Sequence, residues 1–320
     1  SQTMIESPKE RRGQPMVVDV CVVGHVTKDI AKTADGEIEK PGGTAYYTAV
    51  ALKKLGMSVA VITKLHHQDT HLLRELKNEE IPVYLAESDR TTTFMNMYSS
   101  NTNTREQWVK DVATPFTVSD ASHFNPKIFH LGPLTKEDIP LEVIQFLARR
   151  AKISLDVQGF VRNLVQGSRG WARVRQGTWK ERKTALAFVS IVKTNEEEAR
   201  MLSHEKDMIK IAAELSNHGP EEVVITRGSN PSLVYSKGES HWIIAYPPRN
   251  TVASDPTGCG DTYMAGYLFY RERTTKLDEV GRFAAMTASL KLERGGVFRG
   301  NEKDVRDFAR AVGEALLSED

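Results

Sequence analysis

The sequence predicts an α/β protein built on a largely parallel central sheet, and three observations carry that expectation. Short, nearly continuous apolar runs recur along the chain, beginning with VVDVCVV at residues 17–23, as strands buried on both faces require. Amphipathic stretches separate these runs, most regularly from about Asn125 onward. Third, DPTGCGDTYMAGYLFYR, residues 255–271, reads as a glycine turn running straight into a helix. Gly258 and Gly260 let backbone N–H groups face a ligand, and the helix behind them adds unpaired N–H groups and the positive end of its dipole. Such a device holds an anion, usually a phosphate. Asp261 at the helix start is an ordinary helix-opening residue on one reading. On the other it takes a proton from a hydroxyl about to attack that phosphate, which explains a carboxylate beside an anion site.

Bulk properties exclude several classes. The 320 residues, 40% hydrophobic and 27% charged, suit one large soluble α/β domain. A net charge of +1 lacks the basic excess of a nucleic-acid surface. No apolar run approaches the ~18–20 residues that span a bilayer. Residues 1–15 are polar, without the apolar centre of a signal peptide, and read as a disordered tail before a domain at 16–320. Two cysteines, Cys21 and Cys259, in dissimilar contexts point to a reducing cytoplasm. His67 and His71 stand four apart with no third ligand nearby, so no metal site is expected there.

The elements follow in order. The first strand ends at Gly24-His25, and Asp29 lies in the polar stretch that runs to Asp35-Gly36. Gly42 and Gly43 open a helix that Gly56 stops, and VAVIT (59–63) is the next strand, the order of a right-handed crossover. IPVYL (81–85) is a strand; TTTFMNMYSS (91–100) and REQWVK (105–110) are β-prone and joined by a hairpin-like turn. KIFHLG (127–132) and ISLDVQG (153–159) are strands around a helix at 141–152. Asp156, Gln158 and Arg162 stand at or beyond the second strand's carboxyl end, where open α/β sheets bind ligands. An Asp156–Arg162 ion pair ordering the loop is the plainer alternative. Residues 163–184, with Trp171, Trp179 and clustered charge, read as a solvated helix and loop. AFVSIVKTN (187–195) is a strand, and Asn195 with Glu198 forms the capping box of the next helix. Helices at 207–219, 276–294 and 303–318 and β segments at 221–228 and 232–246 complete the chain.

The segment DPTGCGDTYMAGYLFY resembles the C-terminal signature of the PfkB/ribokinase family of sugar and nucleoside kinases, D-T-x-G-A-G-D, departing from it at Pro256 and Cys259. The resemblance implies a ribokinase-like three-layer α/β/α domain with a small β-sheet lid, drawn from segments at about 29–41 and 90–112. It also implies that Asp261 is the base and that the Gly258, Cys259 and Gly260 amides form the anion hole. Gly42-Gly43 match the family's G-G-x-x-x-N, with Tyr47 replacing the Asn that contacts sugar, which points to an altered substrate pocket. Asp29 takes the place of the family's hydroxyl-binding Asp, and Arg105 in the lid is a contact to substrate or to the transferring phosphate.

Further matches extend over most of the chain. LDVQGFVR resembles the D-V/I-Q-x-x-x-R segment of the branch containing plant myo-inositol kinases, which puts Asp156, Gln158 and Arg162 at the substrate. Thr226 and Gly228 match T-x-G beside the nucleotide, with Arg227 stacked on or paired with it, and Gly296 in GGVF borders the adenine. Asn195 and Glu198 match the pair that positions Mg²⁺ through water, and a K⁺ site is implied near Asp255. The expected activity is transfer of the ATP γ-phosphoryl to a hydroxyl of a small sugar or cyclic polyol, myo-inositol-like by first choice. A nucleoside or another sugar is the alternative acceptor. A non-catalytic regulator on the same fold is disfavoured by the intact Asp261 and glycines, and a dinucleotide-dependent oxidoreductase by the lack of GxGxxG after the first strand. The expected partners are the acceptor and ATP, without nucleic acid or membrane, for a monomer or homodimer.

Overall fold

A computed structural model describes residues 5–6, 14–98, 105–249 and 255–316. In its first half lie strands β1 (Ile5–Glu6), β2 (Met16–Val23), β3 (Thr27–Thr33), β4 (Gly36–Gly42), β5 (Val59–Leu65), β6 (Val83–Glu87), β7 (Thr93–Tyr98), β8 (Arg105–Val109) and β9 (Phe124–Leu131). The second half adds β10 (Lys152–Asp156), β11 (Arg162–Gln166), β12 (Ala172–Gln176), β13 (Ile191–Asn195), β14 (Glu222–Arg227), β15 (Asn230–Ser236) and β16 (Glu239–Ile243). The helices are α1 (Thr44–Leu55), α2 (Arg74–Asn78), α3 (Leu141–Ala148), α4 (Arg182–Leu186), α5 (Glu196–Leu202), α6 (Met208–Asn217), α7 (Cys259–Arg271), α8 (Leu277–Leu292) and α9 (Glu302–Ala311).

The main sheet runs β1-β6-β5-β2-β9-β10-β13-β14-β15-β16, parallel as far as β14 and antiparallel beyond it. Its apolar strands separate two cores. Val20, Val22 and Val224 face the layer of α1, α7, α8 and α9, while Cys21, Val23, Val223 and Ile225 face that of α3, α4, α5 and α6. That alternation inside continuous apolar runs is what burial on both faces demands. The three-layer α/β/α arrangement is therefore as the sequence predicts. Among the described residues no helix is long and apolar enough to cross a membrane.

A second sheet, β11-β12-β8-β7-β3-β4, lies apart from the first. Here two sequence expectations need correction. Residues 163–184 are not simply a solvated helix and loop: β11 and β12 pair antiparallel, Arg162 with Gln176 through Gln166 with Ala172, and β12 joins β8. Only Arg182–Leu186 of that stretch is helical. The tail expected to be disordered contributes Ile5–Glu6, paired parallel with β6; residues 1–4 and 7–13 lie outside the described residues. The segments at 29–41 and 90–112 supply β3, β4, β7 and β8, and the turn at 99–104 is outside the described residues.

Helix α7 is anchored along its length, which fixes where its first turn points. The Tyr267 hydroxyl donates to Glu222 Oε1 at 2.5 Å and Arg271 Nε to the same oxygen at 3.1 Å, joining the helix to β14. Tyr263 and Ser232 hydroxyls meet at 2.8 Å. From the other side Thr48 on α1 donates to the Asp261 carbonyl at 3.2 Å.

Candidate active site

The carboxyl ends of β10, β13 and β14, the first turn of α7 and the facing strands of the second sheet enclose a cleft of about 360 Å³. Gly258 caps α7 at φ 84°, a left-handed conformation that an L side chain adopts only with strain. A Cβ there would also run into the Tyr47 ring, so two requirements converge on glycine. The Cys259 N–H donates to the Pro256 carbonyl at 3.1 Å, closing the turn. This corrects the anion hole expected from the amides of 258–260: Cys259 is committed to the turn. Among the described residues the amides of Gly258, Gly260 and Asp261 donate to no backbone carbonyl. Burial is the main cause that pushes the Cys259 thiol up to about 11, so it is not a competing nucleophile near neutral pH.

Asp261 faces this cleft. Burial first, then the charge of Asp156, pushes its carboxyl up to about 6, against the opposing pull of Lys193. A carboxylate in that range is basic enough to accept a proton from a hydroxyl and still largely ionised at neutral pH.

Asp29, Gly43, Tyr47, Gln158, Arg162, Asn195, Glu198, Thr226 and Gly228 line the same cleft, together with Gly258, Cys259 and Gly260. Asp29 accepts the Thr27 hydroxyl at 2.7 Å. Arg162 lies 5.5 Å over the Phe94 ring and donates to the Leu134 carbonyl at 3.1 Å, so its guanidinium is held before any ligand arrives. Burial, helped by Asp29, Asp255 and Asp261, raises the Tyr47 phenol well above its usual range, keeping it a neutral hydrogen-bonding group.

Four expected substrate or nucleotide residues fall elsewhere. Asp156 lies beneath the cleft wall, not on it: its Oδ2 meets Lys193 Nζ at 3.1 Å and its Oδ1 accepts the Gln158 N–H at 3.0 Å. Its partner is thus Lys193 rather than Arg162, because β10 and β13 are adjacent and place the two side by side. Arg227 turns away to Glu196 Oε2 at 3.3 Å and sits 5.4 Å over Trp242, an intramolecular stack in place of the nucleotide. Gly42 packs behind Asp29, and Gly296 is not on the cleft wall. Arg105 opens β8, and its side chain is outside the described residues.

Asn195 and Glu198 form the expected capping box, Asn195 Oδ1 accepting the Glu198 N–H at 2.8 Å and Glu198 Oε1 the Asn195 N–H at 2.9 Å. Burial raises the Glu198 carboxyl, with Lys193 opposing, so a cation in the cleft would favour its ionised form. Among the described residues no cluster of three or more His, Cys, Asp or Glu is placed to ligate a metal directly. That donor set fits Mg²⁺, which keeps most of its waters and needs few protein carboxylates when phosphates are present.

Sequence reasoning missed Lys193, Thr27, Phe94, Gln107 and Leu134, all of which line the cleft. A charged residue near the carboxyl end of an apolar strand was the available signal for Lys193. The others come from the second sheet or a loop, where no motif marks them.

Comparison with known proteins agrees with this geometry. Residues 18–304 match the pfkB family carbohydrate kinase model. A cytidine kinase of Thermococcus kodakarensis is 26% identical over 290 residues, 88% of this chain and 98% of the relative. A nucleoside kinase of Methanocaldococcus jannaschii is 25% identical over 80% of each chain. Among solved structures, a pyrophosphate-dependent kinase in the ribokinase family, as a sulfate complex, aligns with a TM-score of 0.79 at 26% identity, over 90% of this chain and 99% of that one. A structure of such a kinase with a pyrophosphate analog and myo-inositol gives a TM-score of 0.78 at 25% identity, with the same coverage. The glycine turn, the buried carboxylate at its helix and a match over most of the length lead to one conclusion: the chain belongs to the pfkB family of carbohydrate kinases, phosphotransferases that act on an alcohol group.

Proposed function

We propose that the cleft transfers the γ-phosphoryl group of ATP to a hydroxyl of a small cyclic polyol of the myo-inositol type. The observation that carries the reading is Asp261, raised to about 6 at the start of α7 and facing the same cleft as Asp29, Gln158 and Arg162. Asp261 takes the proton of the attacking hydroxyl, and the amides of Gly258 and Gly260 meet the charge on the transferring group. Asn195 and Glu198 would hold Mg²⁺ through its waters, and the ion supplies charge compensation along the donor phosphates. Thr27, Asp29, Phe94 and Gln107, from the second sheet, form the acceptor wall, and that sheet acts as the lid that keeps water out. A polyol is favoured because Tyr47, a bulky neutral phenol, fills the position of the sugar-binding Asn. The neighbouring structure that binds myo-inositol supports the same choice. Both cysteines are free, which supports a cytoplasmic setting.

Specific observations favour alternatives for each substrate. Two aligned structures are of pyrophosphate-dependent kinases, which makes pyrophosphate the second candidate donor, and two relatives are cytidine and nucleoside kinases. The test is a grid of donors, ATP and pyrophosphate with Mg²⁺, against myo-inositol, other polyols, ribose, fructose and nucleosides, read as phosphorylated product. Strong turnover of myo-inositol with ATP is the expected result. Turnover confined to nucleosides or to pyrophosphate replaces the corresponding half of the proposal.

Gly258→Ala tests the turn. The strained φ and the collision with Tyr47 displace the amides, so kcat falls about 10²–10³-fold, the usual effect of losing an anion-hole donor. The strain destabilises the fold by about 1–3 kcal/mol. Steady-state kinetics and a melting curve read the two effects separately.

A further inference from the structure

Asp255 opens the glycine motif, where the resemblance implied a K⁺ ion. The residues around it do not fit one. A monovalent ion is held by oxygens free to turn their lone pairs toward it, and among the described residues every oxygen of Asp255 is engaged by a donor. Oδ1 accepts the Thr257 N–H at 3.0 Å, Oδ2 the Lys40 ammonium at 3.0 Å, and the backbone carbonyl the Lys291 ammonium at 2.9 Å. Two ammonium groups therefore stand at one residue, and a third cation beside them would be repelled.

The two lysines are not equivalent. Lys40, on β4, has a side chain 40% exposed, whereas Lys291, in the last turn of α8, is 1% exposed. A buried lysine is rare unless its ammonium has a purpose-built partner. Lys291 Nζ also lies 5.7 Å from the centre of the Tyr47 ring, the ring that would collide with a side chain at Gly258. The ammonium thus joins the carbonyl that begins the motif turn to the aromatic ring that supports its middle.

We infer that Lys291 is a built-in monovalent cation. Its ammonium stands where the family's free ion would, balances Asp255, and fixes the turn that presents the Gly258 and Gly260 amides. The chain consequently requires neither K⁺ nor Na⁺. The consequence for rate rests on the proposed kinase activity; the placement of the charge does not.

The experiment compares wild type and Lys291→Ala in KCl, NaCl and choline chloride at equal ionic strength, reading melting temperature and, with the active donor and acceptor, turnover. Wild type is expected to show the same melting temperature and rate in all three salts. Lys291→Ala is expected to melt lower and turn over about tenfold more slowly in choline, and to recover specifically in KCl as the ion fills the vacated position. A K⁺-specific rise in wild-type melting temperature or rate overturns the inference, as does a variant that folds but that K⁺ does not restore. Should the variant not fold, the wild-type salt comparison decides alone. Absence of turnover with every donor and acceptor would defeat the kinase reading yet leave the melting comparison decisive here.

Discussion

Asp261→Asn is expected to lower kcat by about 10²–10⁴-fold, the range a positioned general base contributes, with donor affinity nearly unchanged. The amide keeps the size of the carboxylate and leaves the α7 N-terminus and the Gly258 and Gly260 amides in place, but it cannot take the acceptor's proton. The pH dependence gives a second signature. Since Asp261 titrates at about 6, wild-type kcat/KM falls as pH drops through that value, and the variant's residual activity lacks this limb. Stability moves in the opposite sense. The folded carboxyl holds its proton more tightly than the unfolded one, so between the ordinary carboxylate range and about 6 the folded state binds more protons. The contribution of this group to stability therefore declines as pH rises through that window and stays low above it. In Asp261→Asn the decline disappears, and at neutral pH the variant melts no lower than wild type. Equal turnover in the two proteins would remove Asp261 from the chemistry.

Legibility in the sequence followed physical range. Val20 to Val23 and Val223 to Ile225 declared their strands because burial on both faces leaves a continuous apolar run. Gly56 ended α1 in the left-handed conformation expected of it, and Asn195 with Glu198 capped α5 as read, since both signals operate within one turn. Strands β11 and β12 were missed because they belong to a thin sheet: residues 163–166 are all exposed, including Leu164 and Val165, and RNLVQ carries no core-facing pattern. The turn between them lies in GSRG, where Arg169 and Gly170 both take positive φ. Contacts between distant segments were out of reach altogether. Nothing near Asp255 in the chain announces Lys40, 215 residues away, or Lys291. The same holds for Asp156, whose loop neighbour Arg162 was a closer guess in sequence than Lys193, the neighbour that sheet pairing supplies.

That pairing makes Lys193→Met the second large effect. Lys193 and Asp156 are buried together, with side chains 8% and 1% exposed, and the ammonium would stand 2.9 Å from a Cβ placed on Gly260. It is thus packed directly under the glycine turn, where its charge holds down the proton affinities of both Asp261 and Glu198. Removing one partner of a buried pair leaves an uncompensated charge, and the expected loss of stability is about 3–5 kcal/mol. Lys193→Met combined with Asp156→Asn is expected to regain most of it, because the orphaned carboxylate is then gone. In the single variant Asp261 also loses an opposing positive charge while keeping its burial and the repulsion from Asp156, so its proton affinity rises. The acid limb of kcat/KM then moves above about 6, and activity at neutral pH drops but is partly recovered at higher pH. That recovery separates an electrostatic role from a purely structural one: a cleft merely deformed by the substitution would be slow at every pH. A limb that stays at the wild-type position in a folded Lys193→Met protein would show that the charge of Lys193 does not tune the base.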